Sequence, residues 1–386
     1  MFFYITIYFI LSFILIINNF IKFDKNTKNF FYYLLILFFI FLIGLRDNVG
    51  GDWGRYKQYF DYLPKYYFID RGFFIQSSHD YGYQFTISLF KLLNLDFYLL
   101  TLCIAILFMT AISNIAQKNK ERLLTILIAF PFIILIVGMG YLRQGTALAF
   151  VILALDQLVK KNNFKYFLLM MFAISFHKSS VLFLGFYIFV NKTSLRAYLI
   201  FGLILLLSMS VIFEDIKRLY SYYVGIHKHL DSRGTLLRYL ISFFPAIIFL
   251  FYNKTLSDNN RERDIYLLKS IIIISMLPMV FISSTFTDRI LVYFVTIQLL
   301  VYPRMYRISK NFKNPILSNQ LITGSIIILF FLYLYTWFSY SYFSKSWIPY
   351  SFYIIENHIE PLEIFKTFDK SYQVLEKYKC GWDRSC

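Results

Sequence analysis

The sequence predicts an all-α polytopic integral membrane protein with roughly twelve crossings (ten to thirteen) and short re-entrant or interfacial helices on its external face. Three observations carry this. Only 16% of the 386 residues are charged and 58% are hydrophobic, whereas a soluble domain carries about 25% charged residues. Apolar runs of spanning length recur from the first residue to about Trp337, and a bilayer core needs about 20 apolar residues per helix. The alternating pattern of a membrane barrel is missing, which leaves helices to satisfy their own backbone in lipid. Many of the 33 Tyr and 46 Phe lie inside the apolar runs, where they suit lipid-facing surfaces and interfacial belts rather than a nucleic-acid platform. The net charge of +17, from 39 basic and 22 acidic residues, follows first from Lys and Arg collecting in cytoplasmic loops. Binding of anionic lipid or diphosphate groups is a second source.

The first span covers 2–21. No basic region precedes it and no small-residue cleavage site follows, so it reads as a span rather than a removable signal. Lys22, Lys25 and Lys28 against Asp24 place the next loop in the cytoplasm and the N-terminus outside. Span two, 30–45, exits into a loop, 46–80, whose acidic and basic residues nearly balance. Residues 81–93 are apolar but short, which fits an interfacial or re-entrant helix. Span 97–116 returns to Lys118, Lys120 and Arg122; span 123–141 leads out; span 145–159 leads back to Lys160, Lys161 and Lys165.

Residues 167–190 admit two readings. One helix would put Lys192 and Arg196 outside. Two short passes turning at Ser175–Ser179 put them inside and make every later loop agree with the charge rule, so this reading is preferred. Span 199–213 then exits to a polar external loop, 214–238, with His227, His229, Asp231, Arg233 and Arg238. Spans 239–252 and 265–282 follow, then one opened by Thr287-Asp288-Arg289 and closed by Arg304, Arg307, Lys310 and Lys313, and a last one, 321–343. The result is one multi-span domain, 1–343, with external loops 46–96 and 214–238, and an external tail, 344–386. In the tail Leu362, Phe365, Phe368, Tyr372 and Leu375 recur at helical spacing. Cys380 and Cys386 are spaced for a small disulfide loop in an oxidising compartment. Cys103 lies in a span and reads as packing, and no metal-ligand cysteine spacing occurs.

This topology brings five polar features to the external face: Arg46 with Asp52, Tyr83 near Asp80, Arg143 with Gln144, His177, and Asp288 with Arg289. The first sits in the stretch GLRDNVGGDWGRYKQYF, residues 44–60, whose glycines let backbone fold tightly or approach a ligand. Ionisable groups near membrane depth are costly and usually functional. Several converging arginines call for an anion, and a diphosphate suits the planar guanidinium fork. A neutral imidazole at His177 suits a base near physiological pH. Plainer readings stand beside these. Arg46 and Arg143 snorkel at helix ends; His177 bonds a carbonyl at a broken helix; Asp288 and Arg289 pair only with each other; Asp52 caps a turn; His227 and His229 are loop surface. The nucleotide-phosphate loop GxxxxGK[ST] is missing, which argues against an energy-coupled pump, and no Gly-x-Ser-x-Gly occurs.

The chain resembles the EpsG family of membrane proteins, related to the Wzy-type polysaccharide polymerases. The resemblance rests on Arg46-Asp-Asn-Val-Gly-Gly-Asp52-Trp53 with Tyr56 and Phe60 downstream, on Asp80-Tyr81-Gly82-Tyr83, on Arg143-Gln144 opening a small-residue helix with Ala147 and Ala149, and on Phe176-His177-Lys178-Ser179. Arg289 with Tyr293 matches more weakly. These positions run from Gly44 to Pro303. Gly51 stands where the family often has Thr, and Asp80 is shorter than the family's Glu.

The resemblance implies a polymerase of surface polysaccharide (O-antigen, capsule or exopolysaccharide). It would join undecaprenyl-diphosphate-linked repeat units at the external face of a bacterial inner membrane. The polyprenyl diphosphate is the leaving group, so no cofactor, metal or nucleic acid is expected. A polyprenyl-diphosphate-linked oligosaccharide and membrane lipid are the expected partners, with a chain-length regulator protein as a further one. Arg46, Arg143, Gln144 and Arg289 would bind the diphosphate, His177 or Asp52 would take the acceptor proton, and Trp53, Tyr56 and Tyr83 would face sugars. Rival classes are another membrane glycosyl- or O-acyltransferase, a lipid-linked oligosaccharide transporter, and a structural subunit.

Overall fold

A computed structural model describes residues 1–20, 24–65, 80–191 and 234–353. The expected span 199–213, most of the loop 214–238 with its histidines, the helical pattern of the tail, and Cys380 and Cys386 lie outside the described residues. Among the described residues the regular structure is helical, and the one β-bridge joins Arg46 to Phe352.

Among the described residues six helices are long and apolar enough to cross a membrane: Lys25–Gly44, Phe97–Gln117, Leu142–Val159, Thr235–Leu256, Ser284–Ser309 and Pro315–Tyr340. They mark a membrane protein. The remaining apolar segments, Phe2–Ile17, Arg122–Gly138, Asn163–Phe176 and Lys178–Asn191, are shorter, so length and composition account for six of the roughly twelve expected crossings. Large apolar side chains point outward around the bundle, among them Phe13, Phe30, Phe251 and Ile316. In water such a surface invites association; in lipid it is simply solvated. Short polar residues set several helix starts: Asp24, Asp96, Asn162 and Asn259 each accept a backbone N–H of the first turn.

Residues 163–191 form two antiparallel legs. His177 adopts an extended backbone (φ −159°, ψ 115°) that ends the first leg. Tyr166 then donates to the carbonyl of Phe183, and its ring stacks on Tyr187 at 5.9 Å. Asn191 at the end of the second leg meets Arg261, which also donates to the Leu158 carbonyl at 2.9 Å. Both leg ends therefore lie at one end of the bundle and the His177 turn at the other, the two-legged arrangement preferred from the charge pattern.

The end away from His177 is tied by charge. Asp156 is held by Lys118 at 2.5 Å and Lys160 at 2.7 Å. Arg304, fully buried, donates to Asn119, the Leu256 carbonyl, Glu262 and Asp258. At the His177 end the chain after Tyr340 does not leave. Residues 342–353, nearly all of them in the tail expected from 344 onward, fold back over the bundle. Asp47 N–H donates to the Ser351 carbonyl at 3.0 Å, Gly50 N–H to Ser346 at 2.8 Å, and Tyr353 N–H to Leu45 at 2.9 Å. Gly50 has φ 112°, a left-handed conformation that favours glycine, and a Cβ there would sit 2.5 Å from the Met139 carbonyl oxygen.

Candidate functional site

Four short polar stretches meet at the His177 end. The helix Trp53–Tyr62 begins at Asp52 and the helix Tyr81–Leu92 at Asp80, yet neither carboxylate caps its own helix. Both are left to face arginines. Arg143, one residue into the helix Leu142–Val159, donates Nη1 to Asp80 Oδ2 at 3.1 Å. The Lys178 backbone N–H also serves Asp80, and burial outweighs these partners to hold its carboxyl above the ordinary range. Burial likewise raises Asp52, against the pull of Arg55, Arg143 and Arg289. Gly82 lets the Tyr81 helix close on the His177 leg: a Cβ would meet Ser175 Oγ at 2.4 Å.

His177 is half-buried at its turn. Its Nδ1 lies 2.6 Å from Ser179 Oγ, and Ser179 donates to the Tyr293 hydroxyl at 3.3 Å. Burial, then the charges of Arg143 and Arg289, lower its pKa to about 4, so the imidazole is neutral at physiological pH. Gln144 donates Nε2 to the Arg289 carbonyl at 2.5 Å, fastening the backbone of Arg289 to the start of the Arg143 helix.

Tyr56 and Tyr83 form one wall, with ring centroids 5.5 Å apart in an edge-to-face arrangement. Tyr56 lies in the field of Arg143 and Asp52, although burial is the larger influence raising its hydroxyl. Tyr83 is fully buried, and its hydroxyl has no hydrogen-bond partner, nor has Arg143 Nε. Arg46 sits behind this wall, 1% exposed. Its guanidinium donates to the carbonyls of Ile43 and Val49 and leaves Nη2 unpartnered. Burial lowers its pKa to about 10, against the nearby Tyr350, Tyr4, Tyr56 and Tyr83 hydroxyls. Trp53 packs edge-on against Phe97 at 5.7 Å, its indole N–H buried and unpartnered.

The residues brought together are thus Arg143, Asp80, Asp52, Arg289, Gln144, His177 and Tyr56. Arg46 and Tyr83 back them, and Trp53 turns toward the helix Phe97–Gln117. Asp288 does not pair with its neighbour Arg289. Arg238 grips it with two nitrogens, Nε at 2.9 Å from Oδ1, and Thr235 adds a third bond at 2.8 Å. The sequence alone places Arg238 at the end of a polar loop, whereas it lies in the first turn of the helix Thr235–Leu256. Tyr141 lies between the Arg238–Asp288 pair and the site: its hydroxyl, raised chiefly by burial, feels Arg238, Asp288, Asp52 and Arg289. An acid such as Asp288 in an apolar stretch signals a cation partner, but nothing in the sequence says which one. Among the described residues no three His, Cys, Asp or Glu side chains converge to hold a metal.

The arrangement joins three chemical elements at one end of a membrane bundle. It offers guanidinium groups for a di-anion, a neutral imidazole with solvent access, and carboxylates whose protonation burial makes easier. A family model, EpsG family, matches residues 29–352. No curated protein and no solved structure matches.

Proposed function

The chain belongs to the EpsG family, a polysaccharide polymerase-like family, and from that membership we propose that it joins lipid-linked oligosaccharide repeat units by glycosyl transfer. The substrate is a polyprenyl diphosphate, such as undecaprenyl diphosphate, carrying the repeat unit. The reaction runs at the external face of a bacterial cytoplasmic membrane. An acceptor sugar hydroxyl attacks the anomeric carbon of the donor, the bond from that carbon to the diphosphate oxygen breaks, and the acceptor proton passes to a base.

The observation that carries the proposal is Arg143: bonded to Asp80, with His177 and Asp52 both in its field. Arg143 and Arg289 stabilise the charge that grows on the departing diphosphate, and a preorganised donor in such a place contributes about 10²-fold or more in rate. His177 accepts the acceptor proton; Asp52 is the second candidate. Tyr56 borders the sugar space, and Arg46 adds its charge from behind the tyrosine wall. Trp53 contributes through packing that holds the Asp52 helix.

Cells carrying Arg143→Ala or His177→Ala, with protein level followed by immunoblot, test this. The expected result is collapse of polymer ladders to single repeat units while the protein stays in the membrane. Unchanged ladders in both variants sink the proposed site. Lipid-linked units retained on the cytoplasmic leaflet would instead make the protein a transporter.

A further inference from the structure

The turn that presents His177 also determines which of its nitrogens is free. Ser179 Oγ lies 2.6 Å from His177 Nδ1 and donates to the Tyr293 hydroxyl oxygen at 3.3 Å. A hydroxyl has one hydrogen and two lone pairs. With that hydrogen directed at Tyr293, the contact to the imidazole is made by a lone pair of Ser179, and the proton in it belongs to Nδ1. We infer that Ser179 and Tyr293 are positioning residues that hold His177 as the Nδ1–H tautomer and leave the lone pair of Nε2 as the base of the site.

The surroundings make this a fixed arrangement. Tyr293 is 1% exposed and packs against Phe183 at 5.6 Å and the His177 ring at 6.4 Å, so its hydroxyl has little room to swing away. The His177 carbonyl accepts both the backbone N–H of Ser180, at 3.1 Å, and its hydroxyl, at 2.9 Å. These bonds fix the turn from which Ser179 projects. Nε2 has no hydrogen bond among the described residues, and it is absent from the buried polar atoms sealed away from solvent. Burial and the two nearby arginines keep the ring neutral, so that a tautomer exists to be selected. The nitrogen that faces a hydrogen-bond acceptor keeps the proton, and the other becomes basic.

The tautomer rests on this hydrogen-bond geometry in a neutral ring; only the proton that Nε2 receives rests on the polymerase reading. In that reaction the acceptor O–H proton moves to Nε2 as the new glycosidic bond forms and the diphosphate departs. The resulting imidazolium keeps its Nδ1–H on Ser179 and returns the Nε2 proton to water.

The test uses the full chain in lipid nanodiscs with nitrogen-15 histidine. His177 is picked out of the five histidines as the signal lost in His177→Asn. The expected wild-type pattern is a protonated, pyrrole-type Nδ1 and an unprotonated, pyridine-type Nε2. Tyr293→Phe keeps the ring but removes the acceptor, so the Ser179 hydroxyl turns its hydrogen onto Nδ1 and the pattern inverts. Polymer formation per protein then falls about 10²-fold, mainly in kcat. Ser179→Ala mixes the two tautomers. A pyridine-type Nδ1 in the wild type, or no inversion in Tyr293→Phe, overturns the inference whether or not the chain polymerises. If the pattern and its inversion are found but His177→Asn polymerises normally, the tautomer stands and the base reading falls.

Discussion

Trp347 and Leu135 are joined by a hydrogen bond of 3.0 Å from the indole N–H to the backbone carbonyl, across 212 residues of sequence. Leu135 lies in the π-helical stretch Phe130–Gly138, where backbone carbonyls are pulled from the ordinary ladder. The carbonyl of Trp347 in turn accepts from the Tyr4 hydroxyl at 2.9 Å. The residue is thus held by its side chain and its backbone, and its ring lies on Gly51 and Gly140, one on each loop that carries the site. Trp347→Ala should cost about 3–5 kcal/mol, as for other buried Trp truncations. A large fall in the thermal midpoint of the purified protein would report this. Gly140→Val should produce a similar fall from the other side, because a Cβ there would approach the indole to 2.8 Å. An unchanged midpoint in Trp347→Ala would mean that the returning segment does not brace the site.

Arg143 cannot be replaced by lysine without loss. A lysine ammonium is a point charge and lacks the rigid fork that engages Asp80 while presenting a second face to a diphosphate. Arg143→Lys should lower polymer formation by about 10²-fold with little change in protein level. Asp80→Asn, which frees the guanidinium but keeps the shape, should cost about tenfold. Combined in one chain, the two changes should fall short of the sum of their separate costs, by about 0.5–3 kcal/mol of coupling. Strict additivity would separate Asp80 from the action of Arg143.

The titration of His177 supplies a sign as well as a value. Its pKa is lowered to about 4 by burial first and then by Arg143 and Arg289. As pH falls through that value the ring takes up a proton and is lost as a base, so the acidic limb of activity should lie well below the ordinary histidine range of about 6.5. Removing either positive charge stabilises the imidazolium and raises the pKa. In Arg289→Gln a histidine NMR titration should move His177 upward, and the acidic limb of the remaining activity should move with it. A His177 that titrates unchanged in that variant would place Arg289 out of its reach.

Much of the site was readable because ionisable residues in an apolar chain are expensive and few. Arg143, His177 and Asp80 stood out against spans that otherwise avoid charge, and the structure gathers them. The partner of Asp288 was not readable. Adjacent residues on a helix point about 100° apart and do not face each other, so Asp288 reaches Arg238 on another helix while Arg289 acts on Asp52 and His177. The burial of Arg46 depends on residues 342–353 crossing back over the loop after the second helix. No local pattern encodes that return; Trp347 looks like one more interfacial aromatic until its indole is seen inside the bundle. The length of the legs meeting at His177 was legible only through the charge rule, since hydropathy alone fits a single helix equally well.

Arg304 and Lys269 are both buried cations at the end of the bundle away from the site, and they should respond oppositely to the same substitution. Arg304 binds Glu262 and Asp258 and also meets Asn119 and the Leu256 carbonyl. Arg304→Met strands Glu262, itself 4% exposed, without its cation, and breaking such a pair costs about 3–5 kcal/mol. Lys269 is 2% exposed and its ammonium donates to the Thr296 hydroxyl at 2.7 Å, with no carboxylate in ion-pair contact among the described residues. Its desolvation is poorly compensated, and replacing it by an apolar side chain of similar length removes a buried charge without stranding a partner charge, which should be neutral or stabilising. Fluorescence-detected size exclusion after heating should therefore show Arg304→Met losing its folded peak at lower temperature and Lys269→Met keeping it at the same or a higher one. Because both lie far from His177, polymer formed per folded molecule should hold in each. A Lys269→Met chain that stays folded yet stops polymerising would give that lysine a functional role that its packing does not require.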